Sequence, residues 1–498
     1  MKHGTTFLLS SLFACAVLEL VCSTAVAQAL QVQPSKNSFI RVSEANPRYF
    51  EYSDGSPYIP IGTNLCILRG TDEKGKAYLL DDESALKKLE FYFQKLSENG
   101  GNYARIWLGM PPFDLETEKQ GNFDLARVEN MKMALALAEK YNIRLKLCFE
   151  HFRTLEPRVP YAFGVVGFGK PIYKTNPPTK IGEFMTGDIG QKYYVARCAE
   201  YSRYFSETPY VFAWELWNEV NCVPNSLEWT KRLLPPVHKL FPNRLVVQSL
   251  GSFDGPWAQT VYDQMAEIPD NDFIQVHRYL DPGAKLDVCH GPMDVLAADC
   301  VKRMYGKAAD GKAIKPIIAT ELGAVEANHA GPSKLYEQDK EGILFHDILF
   351  APFFAGAAGS GHCWHWNVYL EKNDLWYHVG RFSKAIAGVN PITEQFAPSF
   401  EQQENVRIYG LKGKTTDLIW VRDAEFDWKR ELVDKASAVE RTNISIEWPG
   451  LSAKNIDSVT IYDPWTDETQ TLNESNFSKS SLVFSRFRRS AVVKIRYK

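Results

Sequence analysis

The chain lacks an excess of charge of either sign. Its 57 lysines and arginines nearly balance 60 aspartates and glutamates, which gives a net charge of -3 over 498 residues. A nucleic-acid-binding domain would carry a strongly basic surface, so this balance argues against that class of partner. Charged residues make up 23% and hydrophobic residues 45%, which is typical of a globular protein and not of a disordered one. The length predicts two to three domains.

Long apolar runs are also missing, except at the N-terminus. Met1-Lys2-His3 is a basic start, residues 7–21 are mostly apolar, and Ala25-Val26-Ala27 resembles a signal-peptide cleavage site. We predict that residues 1–27 are a signal peptide and that the mature protein is secreted or periplasmic. Lipoprotein processing at Cys15 is a less favoured alternative, because it leaves the Ala-Val-Ala site unexplained. No later run is long enough for a transmembrane helix, so no membrane span is expected.

Cysteine patterns typical of a disulfide framework or a zinc site are missing as well. Nine cysteines are present, and two of them lie in the predicted signal peptide. The other seven are an odd number at wide spacing, so we expect most to be buried, apolar and unpaired. Cys289 and Cys300 are close enough in sequence to bridge a loop. Neither a CxxC pair nor an HExxH motif occurs, so the sequence does not support a dedicated metal site.

What the chain does contain is a repeated alternation of apolar strands and amphipathic helices. Helices are predicted at residues 84–96, 125–141 and 190–204. Strands are predicted at residues 58–64, 102–108, 143–149, 210–216, 245–249, 273–277, 317–320 and 361–366. This alternation favours parallel strands, and eight of them fit an α/β fold, a (β/α)₈ TIM barrel. The predicted barrel domain covers residues 28–395 and begins with a β-hairpin in residues 28–60.

Two further segments complete the predicted organisation. Residues 152–187 are rich in proline, glycine and aromatics and are interpreted as a long functional loop, which could close one end of a cleft. After residue 395 short segments alternate at period two, which predicts a C-terminal antiparallel β-sandwich domain at residues 396–498. Exposed coplanar rings of Trp420, Trp448 and Trp465 would favour sugar binding by this domain. Buried rings would favour bracing of the barrel, which we expect.

Two apolar runs end in a glutamate. Phe212-Ala213-Trp214-Glu215-Leu216-Trp217 leads into Asn218-Glu219, and residues 316–320 lead into Glu321. Both would lie at the C-terminal ends of barrel strands, where active sites form. Apolar surroundings keep a carboxyl protonated, so Glu219 is the predicted general acid, while Glu321 is the predicted ionised nucleophile. The alternatives are helix-terminal roles for both. Glu215 is interpreted as an internal ion-pair partner.

Other polar and aromatic side chains at strand ends are candidate site residues. Arg105 lies within an apolar strand and needs an anion, for which Glu321 is the candidate. Strand alternation places His277 and Tyr279 on one side, where Tyr279 could hydrogen-bond the nucleophile and His277 could contact a sugar or the acid. The remaining candidates for substrate contact are Asn218, His151, Asn64, and either Trp364 or Trp366, with core packing as the alternative for both tryptophans.

These residues resemble, in order and strand position, the pattern of clan A retaining β-glycosidases. The resemblance is closest to glycoside hydrolase family 5, in its cellulase and β-mannanase branch, and covers about residues 45–395. It implies that Glu219 is the acid/base, that Glu321 is the nucleophile and that the β-configuration is retained. It implies no metal and no organic cofactor. The family histidine that would follow Arg105 has no clear equivalent, and Asn64 stands for a first-strand polar residue.

The implied function is hydrolysis of β-linked oligo- or polysaccharides, with mannan or manno-oligosaccharide first and β-glucan second. A retaining mechanism predicts carboxyl groups roughly 5–5.5 Å apart. One alternative is a catalytically silent, carbohydrate-binding barrel, against which the presence of both carboxyls argues. The other is a different clan A activity, such as β-galactosidase or β-glucuronidase, which only pocket contacts would distinguish.

Overall fold

The computed structural model describes residues 38–498 except 74–76, 117–120, 152–180, 306–313, 449–450, 452–454 and 473–479. The predicted signal peptide and the first residues of the predicted hairpin lie outside the described residues. Most of the predicted loop at residues 152–187 does so too. Its last part is helical, so the prediction of a loop up to residue 187 is wrong there.

The strands, in chain order, are β1 (Ile40–Val42), β2 (Phe50–Tyr52), β3 (Pro57–Tyr58), β4 (Gly62–Asn64), β5 (Arg69–Thr71), β6 (Ala77–Leu79), β7 (Tyr103–Trp107), β8 (Arg144–Glu150), β9 (Val211–Trp217), β10 (Leu245–Val247), β11 (Ile274–Leu280), β12 (Ile317–Ala324), β13 (Ala397–Gln403), β14 (Val406–Lys412), β15 (Thr416–Asp423), β16 (Glu440–Glu447), β17 (Ile456–Asp463), β18 (Glu468–Thr471), β19 (Ser481–Arg488) and β20 (Ser490–Tyr497). The α-helices are α1 (Asp82–Glu98), α2 (Leu125–Lys140), α3 (Ile181–Thr186), α4 (Asp188–Phe205), α5 (Ser226–Leu240), α6 (Ala258–Ala266), α7 (Met293–Tyr305), α8 (Ile343–Phe354), α9 (Tyr377–Ala385) and α10 (Pro391–Glu394).

The helices form where the apolar periodicity predicts them. In α1, Leu89, Phe93 and Leu96 are buried along one face, and Asp81 caps the first turn by accepting from the Ser84 N–H. Helices α2 and α4 match the predicted segments to within two residues at each end. Within the described residues, no helix is long and apolar enough to cross a membrane.

Parallel strands form the centre of the molecule. One sheet has the order β10-β9-β8-β7-β4, and β11 pairs with β12 in parallel. Backbone hydrogen bonds link β10 to the start of β11, where the Asp272 N–H donates to Val246 O. They also join both β12 and β4 to the segment around Cys363, because the Trp364 N–H donates to Leu322 O and the Asn64 N–H donates to the Cys363 carbonyl. These contacts connect eight segments in a ring.

The eighth predicted strand, at residues 361–366, is the exception. It makes a single parallel bridge, between Cys363 and Leu322, and a π-helical turn begins at Trp366. The Cys363 carbonyl is occupied by side chains as well as backbone, because Thr63 Oγ1 donates to it at 2.8 Å and Asn64 Nδ2 at 3.0 Å. Side-chain donors therefore replace part of the strand ladder, so a regular strand was the wrong prediction here.

The N-terminal strands β1, β2 and β3 form a three-stranded antiparallel sheet, one strand more than the predicted hairpin. Phe50 of this sheet packs edge-on against Phe212 and Phe273, with ring centroids 5.0 and 5.4 Å away. Those two residues lie at the beginnings of β9 and β11. The small sheet therefore covers the N-terminal ends of the parallel strands and leaves their C-terminal ends for a site.

The C-terminal strands form two antiparallel sheets, with the orders β13-β14-β15-β20-β17-β18 and β16-β19. Side chains of both sheets, such as Val421 and Phe484, share one apolar core. Trp420 and Trp448 are buried, and Trp465 is partly buried beneath Arg489, whose guanidinium lies 4.5 Å from the ring centroid. None of these three tryptophans presents an exposed ring.

The seven cysteines among the described residues are all free thiols, and six of them are buried. Cys289 and Cys300 form no disulfide, so the bridge that their spacing permits is not made. Burial raises the pKa of both thiols, to about 12 for Cys289 and about 11 for Cys300. The thiol form is thus favoured, as expected for small apolar core residues.

Candidate active site

Glu219 and Glu321 meet at the C-terminal ends of the parallel strands. Glu219 follows β9, and Glu321 lies in the second half of β12. A carboxylate oxygen of one lies within 4.8 Å of a carboxylate oxygen of the other. The two carboxyls therefore face each other, as the ends of their apolar runs predict.

The backbone at Glu219 is left-handed, with φ 51° and ψ 53°. This conformation is uncommon for a residue other than glycine and costs of order 1–3 kcal/mol. The next strand along the sheet holds it, because the Glu219 N–H donates to Ser249 Oγ at 3.0 Å and the Val220 N–H donates to Ser249 O at 3.2 Å. The turn leaves the Glu219 side chain 17% exposed, so its carboxyl is open to the cleft.

Arg105 of β7 connects the C-terminal ends of β9 and β12 to its own strand. Its side chain is fully buried. It donates to both carboxylate oxygens of Glu215 at 2.8 and 2.9 Å, to Asn218 Oδ1 at 2.7 Å, and to Glu321 Oε1. Lys146 adds a second cation, 3.2 Å from Glu215. Glu215 thus lies in an internal ion pair, and Glu321 is indeed an anion partner of Arg105.

His277 and Tyr279 contact the two carboxyls from β11. His277 Nδ1 lies 2.8 Å from Glu219 Oε1, and its Nε2 lies 2.9 Å from Thr320 Oγ1. The Tyr279 hydroxyl donates to Glu321 Oε2 at 2.7 Å. A β-bulge makes this possible, because His277 pairs with Glu321 while the preceding Val276 pairs with Ala319, which leaves Thr320 as the extra residue.

The surroundings separate the two carboxyls in proton affinity. Burial, and after it the negative charge of Glu321, raises the pKa of Glu219 well above its ordinary value. Burial also raises the pKa of Glu321, but Arg105 and the Tyr279 hydrogen bond oppose that rise. Burial lowers the pKa of His277 well below its ordinary range, with Arg105 and Lys146 acting in the same direction. Glu219 is therefore the carboxyl that keeps a proton, beside a neutral imidazole.

The amide oxygen of Asn218 is hydrogen-bonded within the protein, and its amide nitrogen is available to a ligand. Its oxygen accepts from Arg105, while its Nδ2 is buried and has no hydrogen-bond partner among the described residues. A buried donor without a partner is costly, and a hydroxyl group entering the cleft would satisfy it. This arrangement fits the sequence interpretation of Asn218 as a substrate contact.

Two polar residues predicted to contact substrate do not reach the cleft. Asn64 is fully buried and donates to the carbonyls of Thr320 and Cys363, at 2.9 and 3.0 Å, so its assignment to substrate binding is wrong. Arg105 is equally buried, and all its contacts described above are to protein groups. Its position supports a role in orienting Glu321 and Asn218.

The two candidate tryptophans have different positions. Trp366 is only 1% exposed and starts the π-helical turn, so the structure places it in the core and not in a sugar subsite. Trp364 is half-buried, with its ring centroid 5.2 Å from that of Trp107. Trp107 in turn packs on His151, with centroids 4.7 Å apart. Trp364, Trp107 and His151 thus form one aromatic cluster, at the ends of β7 and β8 and beside Cys363.

Several residues of the site were missed from the sequence. Trp107 lies two residues after Arg105 on the same strand, so alternation alone could have placed it at the mouth. Ser249 ends the predicted fifth strand, which is a weaker signal. Nothing in the sequence marks Thr320, because its contact with His277 depends on the β-bulge.

Two groups of side chains bring potential metal ligands together within the described residues. One comprises Glu219, His277 and Glu321, and the other comprises Asp254, Asp281 and His329. In the second group His329 Nδ1 is hydrogen-bonded to Asp281 Oδ2 at 2.7 Å, and His329 Nε2 is hydrogen-bonded to Ser252 Oγ at 2.9 Å. Both ring nitrogens are therefore already engaged by protein groups, and no metal site is assigned.

The fold is shared with solved glycoside hydrolase structures. A glycoside hydrolase family 5 structure from Bacteroides vulgatus aligns with 93% of this chain and 94% of its own, with a TM-score of 0.59 and 13% identity. Another structure, named only as a glycoside hydrolase, aligns with 92% of this chain and 97% of its own, with a TM-score of 0.59 and 12% identity. At these identities the likeness concerns the fold, and it confirms the resemblance to family 5 at that level.

Sequence comparison finds a relative at low identity. A mannan endo-1,4-beta-mannosidase 3 from Oryza sativa subsp. japonica is 22% identical over 339 residues, which cover 62% of this chain and 69% of the rice protein. No protein-family model matches the chain.

Proposed function

We propose that the protein is a retaining β-glycoside hydrolase built on a (β/α)₈ barrel, with Glu219 as acid/base and Glu321 as nucleophile. The observation that carries this proposal is the approach of their carboxylate oxygens to within 4.8 Å. Retaining enzymes place the two carboxyls roughly 5–5.5 Å apart, whereas inverting enzymes need about 6.5–9.5 Å to admit a water. The fold shared with glycoside hydrolase structures supports the same class.

The contacts of the two glutamates support a role for each of them in the proposed reaction. Glu219 keeps a proton because its pKa is raised, and it donates that proton to the glycosidic oxygen as the bond breaks. Glu321, held by Arg105 and Tyr279, attacks the anomeric carbon and forms a covalent glycosyl-enzyme. Glu219 then removes a proton from water, which attacks the same carbon and releases the sugar with its β-configuration retained.

The substrate class we propose is a β-mannan or manno-oligosaccharide, with β-glucan second. The support for mannan is the mannan endo-1,4-beta-mannosidase from rice, which is the one sequence relative above. Trp364, the partly exposed member of the aromatic cluster, offers a ring to the C–H face of a pyranose, while the buried Trp107 and His151 support it. Export by a signal peptide remains part of the proposal.

We also propose that the C-terminal sheets form a β-sandwich domain that braces the barrel. The buried positions of Trp420 and Trp448 support this role over sugar binding. Arg407 supports it too, because its guanidinium forms a two-point ion pair with Asp294 of α7, at 2.6 and 3.0 Å. Such a contact fixes the sheet to a helix that packs against the parallel strands.

The test is hydrolysis of a panel of aryl β-glycosides and β-1,4-linked mannan and glucan oligosaccharides by wild type and by Glu321→Ala. We expect turnover of one glycone, retention of the β-anomer in the first product seen by NMR, and a loss of kcat of about 10⁴-fold or more in the variant. Glu228→Ala removes an exposed helix glutamate and is the matched control, with activity unchanged.

Other results would favour the alternatives. No turnover of any glycoside, with oligosaccharide binding intact in Glu321→Ala, would favour a carbohydrate-binding barrel. Turnover of a β-galactoside or β-glucuronide alone would keep the mechanism and reject the mannan and glucan assignment. An inverted first product would contradict the retaining mechanism.

A further inference from the structure

A second group of polar side chains borders the catalytic pair on the side of β10 and β11. His329 is tied to Asp281 at 2.7 Å and to Ser252 at 2.9 Å. The His329 ring also packs edge-on against the ring of Tyr279, with centroids 5.1 Å apart, and Tyr279 holds the nucleophile. Asp254 has a carboxylate oxygen within 4.8 Å of both Asp281 and His329. Tyr279 thus contacts both His329 of this group and the nucleophile Glu321.

The loop that carries this group is held in an unusual conformation. Asn328 and His329 are both left-handed, with φ 59° and 58°. The buried Asp281 stabilises it, because Asp281 Oδ1 accepts from the Asn328 N–H at 2.9 Å and from the Gly283 N–H at 2.7 Å. Backbone strain kept in place by a buried carboxylate is typical of functional loops. Here it presents the imidazole of His329 beside Ser252 and Asp254.

An exposed tryptophan lies on the same loop as Asp254. Trp257 is 49% exposed, although it is a large apolar side chain. Its indole lies directly against Gly255, where a Cβ atom would come within 2.3 Å of Trp257 Nε1. A glycine is therefore required for the ring to take this position. Residues 252–257 thus carry an exposed aromatic plane, a carboxylate and the Ser252 hydroxyl that contacts His329.

Catalytic geometry divides the mouth into two sides. The ring of strands places β10 and β11 between the strands of Glu219 and Glu321 on one side. The cluster of Trp107, His151 and Trp364 lies on the other side. Glu219 must meet the glycosidic oxygen of the leaving group, and its turn is held by Ser249, three residues before Ser252. In addition, the charge of Asp254 contributes to the raised pKa of Glu219.

We infer that the loops after β10, β11 and β12 form a leaving-group subsite for a pyranose unit, with Trp257 stacking on the sugar ring, with Asp254 hydrogen-bonding its hydroxyls, and with His329 holding the loops together through Asp281 and Ser252. This inference rests on the proposed hydrolase function. It gives a role to the side of the cleft at β10 and β11, for which that proposal names no sugar contact. Stacking on one exposed indole of this kind contributes about a tenfold change in binding, which corresponds to about 1.4 kcal/mol.

The test compares two substrates with the same glycone, an aryl β-glycoside and the corresponding β-1,4-linked oligosaccharide. In Trp257→Ala we expect kcat/KM for the oligosaccharide to fall about tenfold, while kcat/KM for the aryl glycoside stays within about twofold. With the aryl glycoside as donor and an added oligosaccharide acceptor, transglycosylation relative to hydrolysis should fall by a similar factor. Gly255→Ala, which displaces the indole, should act in the same direction.

Phe91→Ala removes an exposed aromatic side chain from helix α1 and is the matched control. It should leave kcat/KM unchanged for both substrates. An equal loss on both substrates would place Trp257 on the glycone side and overturn the inference, as would no loss on either. Both results leave the hydrolase proposal intact, because the wild-type protein still hydrolyses the glycosides. If wild type cleaves no glycoside, the proposed function fails first and the leaving-group assignment fails with it.

Discussion

Two buried clusters of arginine and carboxylate groups in this molecule have the same chemistry but different balances of charge. In the first, Arg105 and Lys146 share the mouth of the parallel strands with Glu215, Glu219 and Glu321.

In the second, between helices α7 and α8 and the C-terminal sheet, Arg407 pairs with Asp294, and Arg422 pairs with Asp347 at 2.9 and 3.3 Å. The interface cluster matches each of these carboxylates to one guanidinium. The mouth has one carboxyl more than it has cations.

This difference separates a structural cluster from a reactive one. Although burial opposes it, Arg407 holds the pKa of Asp294 below its ordinary value. Burial raises the pKa of Asp347 to about 7, because Arg422 offsets only part of the effect of burial. A third carboxyl among two cations is better neutral, and the burial of Glu219 beside Glu321 makes it the one that is protonated. The excess carboxyl is also the one that is open to the cleft, whereas Asp294 and Asp347 are fully buried. Of these carboxyls, Glu219 is therefore the one that we expect to pass a proton to a substrate.

Glu219→Ala is expected to have the largest effect on activity, and it tests whether the excess carboxyl at the mouth is the proton donor. For a glycoside with a poor leaving group, kcat/KM should fall by about 10²–10⁴-fold, because the departing oxygen receives no proton. An activated aryl glycoside should be cleaved nearly normally in the first step. In wild type, kcat/KM should decline as pH rises through the raised pKa of Glu219, since the acid must be protonated. Rate profiles against pH should lack this decline in the variant, and a persistent decline would contradict the assignment.

Much of the catalytic cluster could be predicted from the sequence because its members end apolar strands. Parallel strands bring their C-terminal ends to one edge, so Glu219, His277, Tyr279 and Glu321 could be grouped without coordinates. Arg105 could be linked to Glu321 because a buried guanidinium needs an anion. These inferences depend only on strand direction and local burial, which short-range patterns report.

The errors arose where distant backbone decides the outcome. Asn64 is structural because two carbonyls, at Thr320 and Cys363, lie within hydrogen-bond distance of its amide. Trp366 is in the core because the eighth strand stops near Cys363, so strand alternation does not extend to it. The interface cluster was not predicted at all, since its arginines lie in C-terminal strands and their aspartates lie in helices α7 and α8.

A second prediction tests the balanced cluster. Asp347→Ala leaves the fully buried Arg422 without its carboxylate partner and should destabilise the protein by roughly 3–5 kcal/mol. Because the pair lies in the interface and not at the mouth, kcat of the folded protein should be nearly unchanged. Urea unfolding followed by circular dichroism measures the first effect, and assays at low temperature measure the second. A large loss of kcat with unchanged stability would break the distinction between the two clusters.

Helix α4 provides the control for this change, because the exposed Arg203 lies 3.7 Å from the partly buried Glu200. Glu200→Ala removes a carboxylate from an ion pair whose arginine is solvated, so stability should change by no more than about 1 kcal/mol. A loss equal to that of Asp347→Ala would show that burial is not the cause.

The smallest expected effect concerns Thr320, whose hydroxyl faces Nε2 of the neutral His277. That hydroxyl can accept from Nε2–H when protonated Glu219 donates to Nδ1. It can equally donate to Nε2 when Nδ1–H donates to ionised Glu219. In Thr320→Val both forms lose their partner at Nε2, but an unpaired buried N–H costs more than an unpaired acceptor, which favours the Nδ1–H form and therefore the ionised Glu219.

The basic limb of kcat/KM in Thr320→Val should therefore move to lower pH by up to about one unit, since each pKa unit corresponds to about 1.4 kcal/mol. Thr320→Ser keeps the hydroxyl and should restore the wild-type limb. A purely structural role would lower kcat at all pH values without moving the limb. That result would mean that the pKa of Glu219 is set by the other charges of its cluster alone and that the Thr320 hydroxyl does not affect it.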